Sequence, residues 1–316
     1  MQSALNAPEF RDEAAAFAYV EAKLWPTGPV CAHCGVVGEA SKAKGKTTRM
    51  GLWNCRACRK PFTVRMGTLF ESSHVPLHIW LQVMYLVCSS KKGISTRQIQ
   101  RTIGGSMKTA WFLGHRIREA MAEGSVGPLG GAGGDVEADE TYFGHDRNYS
   151  SASGKNMNAV LSLVDRESGR VRSMVIPNVT ANTVTAAVAS NVAVDTRLLT
   201  DSSNVYRRVG AVLADHQSVN HSIKEYVRKS DATVHTNTVE GTFSIFKRGM
   251  RGIYQHCAAK HLPRYLAEFD FRYSNRIALG INDKVRADTA LAGVVGKRLT
   301  YETVSARHPR ETRIVW

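Results

Sequence analysis

The sequence predicts an α/β protein: a mixed β-sheet flanked by helices, preceded by a small cysteine-bound ribbon and a helix-turn-helix. Three observations carry this. Strand and helix signals alternate from residue 135 to about 275. Four of the six cysteines fall in two pairs of CxxC spacing, Cys31-Cys34 and Cys55-Cys58. The stretch Glu123-Gly-Ser-Val-Gly-Pro-Leu-Gly-Gly-Ala-Gly-Gly134 holds six glycines and a proline, which predicts a flexible, solvated boundary. The expected division is 1–64 (helix and ribbon), 65–121 (helix-turn-helix), 122–134 (linker), 135–280 (α/β core) and 281–316 (basic tail).

Charge narrows the partners. Across 316 residues, 42 Lys and Arg face 27 Asp and Glu, a formal net charge of +15. Such an excess calls for a polyanion, nucleic acid first. The longest apolar stretch, Ile79 to Cys88, is interrupted by Gln82 and is too short to cross a bilayer. Glu9, Asp12 and Glu13 replace the basic start of a secretory signal, so a cytoplasmic protein is expected. In a reducing compartment paired CxxC motifs favour a metal over disulfides.

Phe10 to Leu24 reads as an amphipathic helix. Cys31-Ala-His-Cys34 and Cys55-Arg-Ala-Cys58 then form two knuckles twenty residues apart. Together they offer four thiolates to one structural Zn2+, with no position left open for catalysis. Lys42 to Lys46 reads as a basic turn and Thr47 to Trp53 as the return strand. Arg56, Arg59 and Lys60 add positive charge suited to phosphate contact. From Lys91 to Arg118, Ser95 caps a first helix ending near Ile103, Gly104-Gly105 turns the chain, and Ser106 caps a second helix to Met121. Ile99, Ile103, Ala110, Leu113 and Ile117 make the inner face; Lys108, Thr109 and Arg116 are expected outward, on DNA.

In the core, Val136 to Phe143, Ala159 to Val164 and Val171 to Ile176 are strands, the last two a hairpin. Thr183 to Ala193 is helical, Arg197 to Thr200 a strand, and Val205 to Val212 helical. Asn237 to Arg251 is a helix with Val239, Phe243 and Phe246 on one face, and Leu262 to Asn275 is another. Beyond 280 an extended basic tail is expected.

Three acids stand out. Asp139 lies in mid-strand, where a carboxylate is costly without a partner or a metal. Asp201 ends an apolar strand, where sites of open α/β sheets collect. Glu240 sits on the long helix, and Lys247 lies two turns further along the same face. Acids from separate elements suit two Mg2+ or Mn2+ ions clamping a phosphodiester displacement. Alternatives stay open. Glu137 shares the face of Asp139, with Glu140 opposite, and Asp201 also suits a helix cap. His235 suits a phosphate contact or a cap; His261, Arg264 and Arg272 suit a DNA path or an ordinary basic face.

The segments Val136-Glu-Ala-Asp-Glu-Thr-Tyr-Phe-Gly144, Thr200-Asp201 with Tyr206, and His235-Thr-Asn-Thr-Val-Glu240 followed by Lys247-Arg248 resemble the motifs of DDE-type insertion-sequence transposases. Lys260-His-Leu-Pro-Arg-Tyr-Leu-Ala-Glu-Phe-Asp-Phe-Arg-Tyr-Ser-Asn275 and Trp25-Pro-Thr-Gly28 narrow this to the group joining a zinc ribbon to an RNase H-like core, related to Merlin elements. The likeness runs from about 10 to 280. It implies an RNase H-like mixed sheet with Asp139 and Asp201 as the first two metal ligands. The third is Glu240 or, since some members carry asparagine there, Asn237. The spacing to Lys247 favours Glu240. It also implies cleavage at insertion-sequence ends and strand transfer, with double-stranded DNA as partner (terminal inverted repeats and target) and Arg248 among its contacts. A homodimer or larger assembly on DNA is expected. The rival readings are an inactive or domesticated zinc-ribbon regulator and a nuclease that cuts without joining.

Overall fold

The computed structural model describes residues 3–124, 127–144 and 157–300. The first elements are α1 (Glu13–Leu24), β1 (Ala40–Lys42), β2 (Trp53–Cys55), β3 (Pro61–Phe62), α2 (Leu77–Ser89), α3 (Thr96–Ile103) and α4 (Met107–Met121). Next come β4 (Asp135–Phe143), β5 (Asn158–Asp165), β6 (Val171–Ile176), α5 (Ala181–Asn191), β7 (Arg197–Asp201) and β8 (Asp215–Val219). The last are β9 (Val227–Arg228), β10 (Asp231–His235), α6 (Asn237–Gly249), α7 (Leu262–Ser274) and α8 (Asp283–Ala292). They divide between two units: Met1–Ser90 with Ile94–Met121 and the chain from Asn282 onward, and Lys91–Gly93 with Ala122–Ile281.

In the first unit local chemistry sets the helix ends. Asp12 accepts the Ala15 N–H at 2.8 Å and starts α1 three residues later than periodicity suggests, because Pro8–Phe10 forms a 3-10 turn. The Glu13 carboxylate takes the amides of Leu77 and His78 (2.8 and 3.1 Å), capping α2 from outside. Ser95 and Ser106 accept the N–H groups of Gln98 and Thr109 (3.2 and 3.0 Å), as expected for α3 and α4. Between them Gly104 and Gly105 take φ +75° and +77°, a region that a side chain disfavours. The ribbon strands run in order β1-β2-β3. The return strand starts at Trp53 rather than Thr47, because Lys42 pairs with Trp53 and residues 43–52 form the turn. The expected extended tail is instead helical over Asp283–Ala292. Asn282 caps the Val285 N–H at 3.0 Å, and Ala287, Ala290 and Leu291 are buried. Residues 301–316 of that tail lie outside the described residues.

The second unit is a five-stranded sheet of order β6-β5-β4-β7-β8. β4 pairs antiparallel with β5 and parallel with β7; β6 is antiparallel and β8 parallel to their neighbours. This is the strand order of an RNase H-like sheet. Alternation along β4 divides the faces. Val136 and Ala138 join Leu161, Leu163, Val184 and Val188 under α5. On the other face Val160 packs with Phe246, Leu266 and Phe269, and Val164 and Val171 pack with Val239 and Phe243. Residues 127–134 are not the solvated linker expected. Leu129 is fully buried, and the amides of Gly130 and Gly131 donate to Asp165 and Thr196 (3.2 and 2.9 Å). The glycines there supply positive φ for a bonded loop: Gly130 takes +72°.

Glu137 ties the layers. It is fully buried on the α6 face of β4. Arg166 Nε donates to its Oε1 at 2.7 Å and the Val239 N–H to its Oε2 at 2.8 Å. So a strand carboxylate caps the helix that carries Glu240. On α7, Asp270 accepts both the Ser173 amide (2.6 Å) and hydroxyl (2.7 Å). Although the residue keeps some solvent contact, burial of its carboxyl pushes it up to about 7 against those two bonds.

Two outcomes are expected. Glu137→Ala takes from Arg166 its 2.7 Å carboxylate partner, leaving the longer contact with Asp135, uncaps α6, and lowers unfolding free energy by about 3–5 kcal/mol in urea titration; an unchanged midpoint contradicts the tie. A carboxyl with a raised folded pKa stabilises the fold at low pH, and that stability is lost as pH climbs from about 4 through the folded value. Asp270→Asn therefore gains melting temperature relative to wild type between pH 5 and 8.

Candidate active site

Both principal acids of the site stand on the α6 face of the sheet. The parallel register pairs Asp135 with Arg197 and Glu137 with Leu199. Beyond the end of that pairing the charge of Asp201 still acts on Asp139. Glu240, in the first turn of α6, reaches the same region: its charge, with those of Glu140 and Asp201, acts on Asp139. Burial first, then Glu140, Asp201 and Glu240, push the Asp139 carboxyl up to about 7, although the Glu140 amide donates to it at 2.8 Å. Asp201 Oδ1 accepts the Ser203 N–H at 3.0 Å, so it closes a turn as well as facing Asp139. Glu240 Oε1 accepts the Thr236 hydroxyl at 3.0 Å and lies 3.4 Å from His221 Nε2.

The rival acids are sorted by their partners. Glu137 is wholly engaged by Arg166 and the α6 amide, so it belongs to the framework. Glu140 alternates onto the α5 face, where the buried Tyr206 donates to it at 2.6 Å. Burial raises its carboxyl above the ordinary range, against that bond. Sequence reasoning named Tyr206 only as part of a motif; its donor role to Glu140 depends on fold contacts between β4 and the loop after β7. His235 acts as a cap, its Nδ1 3.4 Å from the Asn237 amide. Asn237 is exposed at the start of α6. Lys247 is half-buried, with Nζ 6.0 Å from the Phe243 ring centre.

The cysteines converge. All four Sγ atoms lie within 4.8 Å of one another; Cys31–Cys58 and Cys34–Cys55 are 3.7 Å apart. A tetrahedron with Zn–S bonds of about 2.3 Å has an edge of about 3.8 Å, so the donor set fits zinc. Burial opposes charge on Cys31, yet the His33 and Cys34 amides bring its thiol down to about 6. No trio of carboxylates among the described residues gathers its oxygens as tightly as these sulfurs.

The basic residues separate into two kinds. Arg56, Arg59, Lys60, Lys108 and Arg248 are exposed and Thr109 is partly so. Arg116 is not outward as expected. It is buried, and its guanidinium bonds the carbonyls of Leu69 (2.9 Å) and Leu299 (3.0 Å), because α4 enters the core of its unit after its first two turns. Arg272 is likewise buried, paired with Glu268 one turn away. Arg264 meets His261 at 3.1 Å. Among the described residues no helix is long and apolar enough to cross a membrane.

Comparisons with known proteins bear on the family. A protein of the transposable element ISH50 from Halobacterium salinarum is 26% identical over 268 residues, 78% of this chain and 86% of that one. Likeness to solved structures is faint. The catalytic core of BIV integrase aligns at a TM-score of 0.30 with 16% identity, over 43% of this chain and 82% of that one. The HTLV-2 integrase core with magnesium gives 0.26 and 12%, over 45% and 86%. The strand order, not these likenesses, carries the fold. The family of transposase zinc-ribbon domains matches residues 11–61, and that of ISXO2-like transposase domains matches 131–274. The two matches together span more than half of the chain, and the protein belongs to the insertion-sequence transposases that carry a zinc ribbon ahead of an ISXO2-like DDE domain.

Proposed function

We propose that this transposase cuts insertion-sequence ends and joins them to target DNA at Asp139, Asp201 and Glu240, which would hold Mg2+ or Mn2+. One observation supports the assignment most: Asp139 lies among three other acids while two arginines neutralise the acids before it on the same strand, and burial with that crowding pushes its carboxyl up to about 7. Mutual repulsion among these acids is offset by a cation, and oxygen-only donors select a hard divalent one. When bound, such ions supply charge stabilisation to an in-line phosphodiester displacement. The chain itself would orient the donors: Asp139 and Asp201 stand on the neighbouring strands β4 and β7, and the Glu137 carboxylate takes an amide of the helix bearing the third. Lys247, two turns from Glu240, and Arg248 supply positive charge for phosphate.

The four cysteines would hold one structural zinc. The exposed Arg56, Arg59 and Lys60 beside it, with Lys108 and Thr109 at the start of α4, suit contact with double-stranded DNA at the element's terminal repeats. Joining two ends favours a homodimer or larger assembly. A regulator without chemistry has no use for the acids around Asp139, which supports the catalytic reading over the inactive one.

Asp139→Asn and Asp201→Asn are each expected to lower magnesium-dependent cutting and joining of an element-end duplex by about 10³-fold, several kcal/mol of lost charge stabilisation. Gel-shift affinity for the same duplex should persist. Glu240→Gln should match them and Asn237→Ala should lose far less; the opposite ranking transfers the third ligand to Asn237. Stripping zinc with a chelator, or Cys34→Ser, should lower both zinc per chain by atomic absorption and affinity for end DNA. Full DNA affinity without zinc contradicts the structural role.

A further inference from the structure

The connection from β8 to β9 carries apolar surface that the proposed chemistry does not use. Ile223 is 71% exposed and Tyr226 58% exposed, three residues apart, with Val227 also exposed beside them. The patch is not remote from the carboxylates. The His221 ring packs on Tyr226 with centres 5.4 Å apart, and His221 Nε2 lies 3.4 Å from Glu240 Oε1 and 3.3 Å from Thr236 Oγ1. One ring therefore separates Tyr226 from Glu240. Lys224, held at φ +59°, and Lys229 are both exposed on its rim, while Glu225 between them is partly buried and accepts the Asn220 amide at 3.2 Å. A lysine rim around an aromatic ring matches a polyanion with flat apolar faces, and opposes a second copy of a chain charged +15.

We propose that Tyr226 and Ile223 form a stacking site for an unpaired nucleobase beside the phosphodiester being cut. This rests on the reading of Glu240 as part of the catalytic site. An aromatic face accepts any base, because every base has a π-face. An aliphatic wedge holds a base step open, and the lysines take the flanking phosphates. His221 backs the Tyr226 ring, so the ring is ordered before DNA arrives.

The test compares a short blunt duplex with the same duplex bearing a forked, unpaired end, by fluorescence anisotropy with calcium replacing magnesium. Stacking tolerates any sequence, so a generic duplex serves. Wild type is expected to favour the fork by roughly tenfold, within what one base on an aromatic ring contributes. Tyr226→Ala and Ile223→Ala should bring that ratio towards one, and Tyr226→Phe should restore it. Equal binding of both duplexes by wild type, or a preference that survives Tyr226→Ala, overturns the proposal. So does a dimer that Tyr226→Ala dissolves while the ratio stays unchanged, which assigns the patch to a second copy. Cutting is scored separately with magnesium, on a duplex that carries the element end. A wild type that prefers forks through Tyr226 but never cuts keeps the stacking site and removes the catalytic reading; one that cuts but ignores forks does the reverse.

Discussion

A buried carboxylate must be answered, and Glu137 is answered from two directions. Arg166, from the turn after β5, neutralises it; the first turn of α6 gives it an amide. Neither partner is near it in sequence. The helix carrying Glu240 is thus anchored on the strand carrying Asp139, two residues away from it. Without that anchor the third acid would hang on a helix whose angle to the sheet depended on apolar packing alone, and packing alone tolerates small shifts that coordination geometry does not.

Three acids alternate along one face of β4, and their fates differ. Asp135 is gripped by Arg197 through two bonds of 2.7 Å, with Arg166 behind it, and is held below the usual carboxylate range. Glu137 has Arg166. Asp139 meets other carboxylates instead and is pushed up. Positive charge on this strand therefore ends just before the site begins. Sheet stability is served at one end of the strand, and a carboxylate without a cationic partner is kept at the other, the pattern expected of a functional position.

Most of this layout was legible in the sequence, for physical reasons that differ by element. Cysteine spacing specified the metal knuckles because chelation geometry allows few alternatives. The Ser95 and Ser106 caps and Gly104-Gly105 were readable because caps and turns are local. β8 was not readable: Asp215-His-Gln-Ser-Val219 is a mostly polar strand at the sheet's edge, with no apolar alternation to announce it. β9 and β10 are short and polar for the same reason. α8 hid because its buried positions are two alanines, an arginine and a single leucine, a periodicity faint beside a run of Leu or Phe. Glu137 and Asp139 looked alike in sequence because what separates them, Arg166 and the α6 amide, comes from distant segments. Arg116 misled because a basic residue on a helix reads as outward unless the depth of that helix in its core is known.

The chain order has a consequence for synthesis. The unit that holds the ribbon is built from both ends of the described chain, since α8 packs on α2 and Arg286 Nη1 donates to the Cys88 carbonyl at 2.8 Å. The RNase H-like unit is an interruption within it. On the ribosome the inner unit is complete once Ile281 has emerged, while the outer one still waits for its last helix. A message truncated between the two points would release a complete inner unit beside an outer one that lacks its last helix.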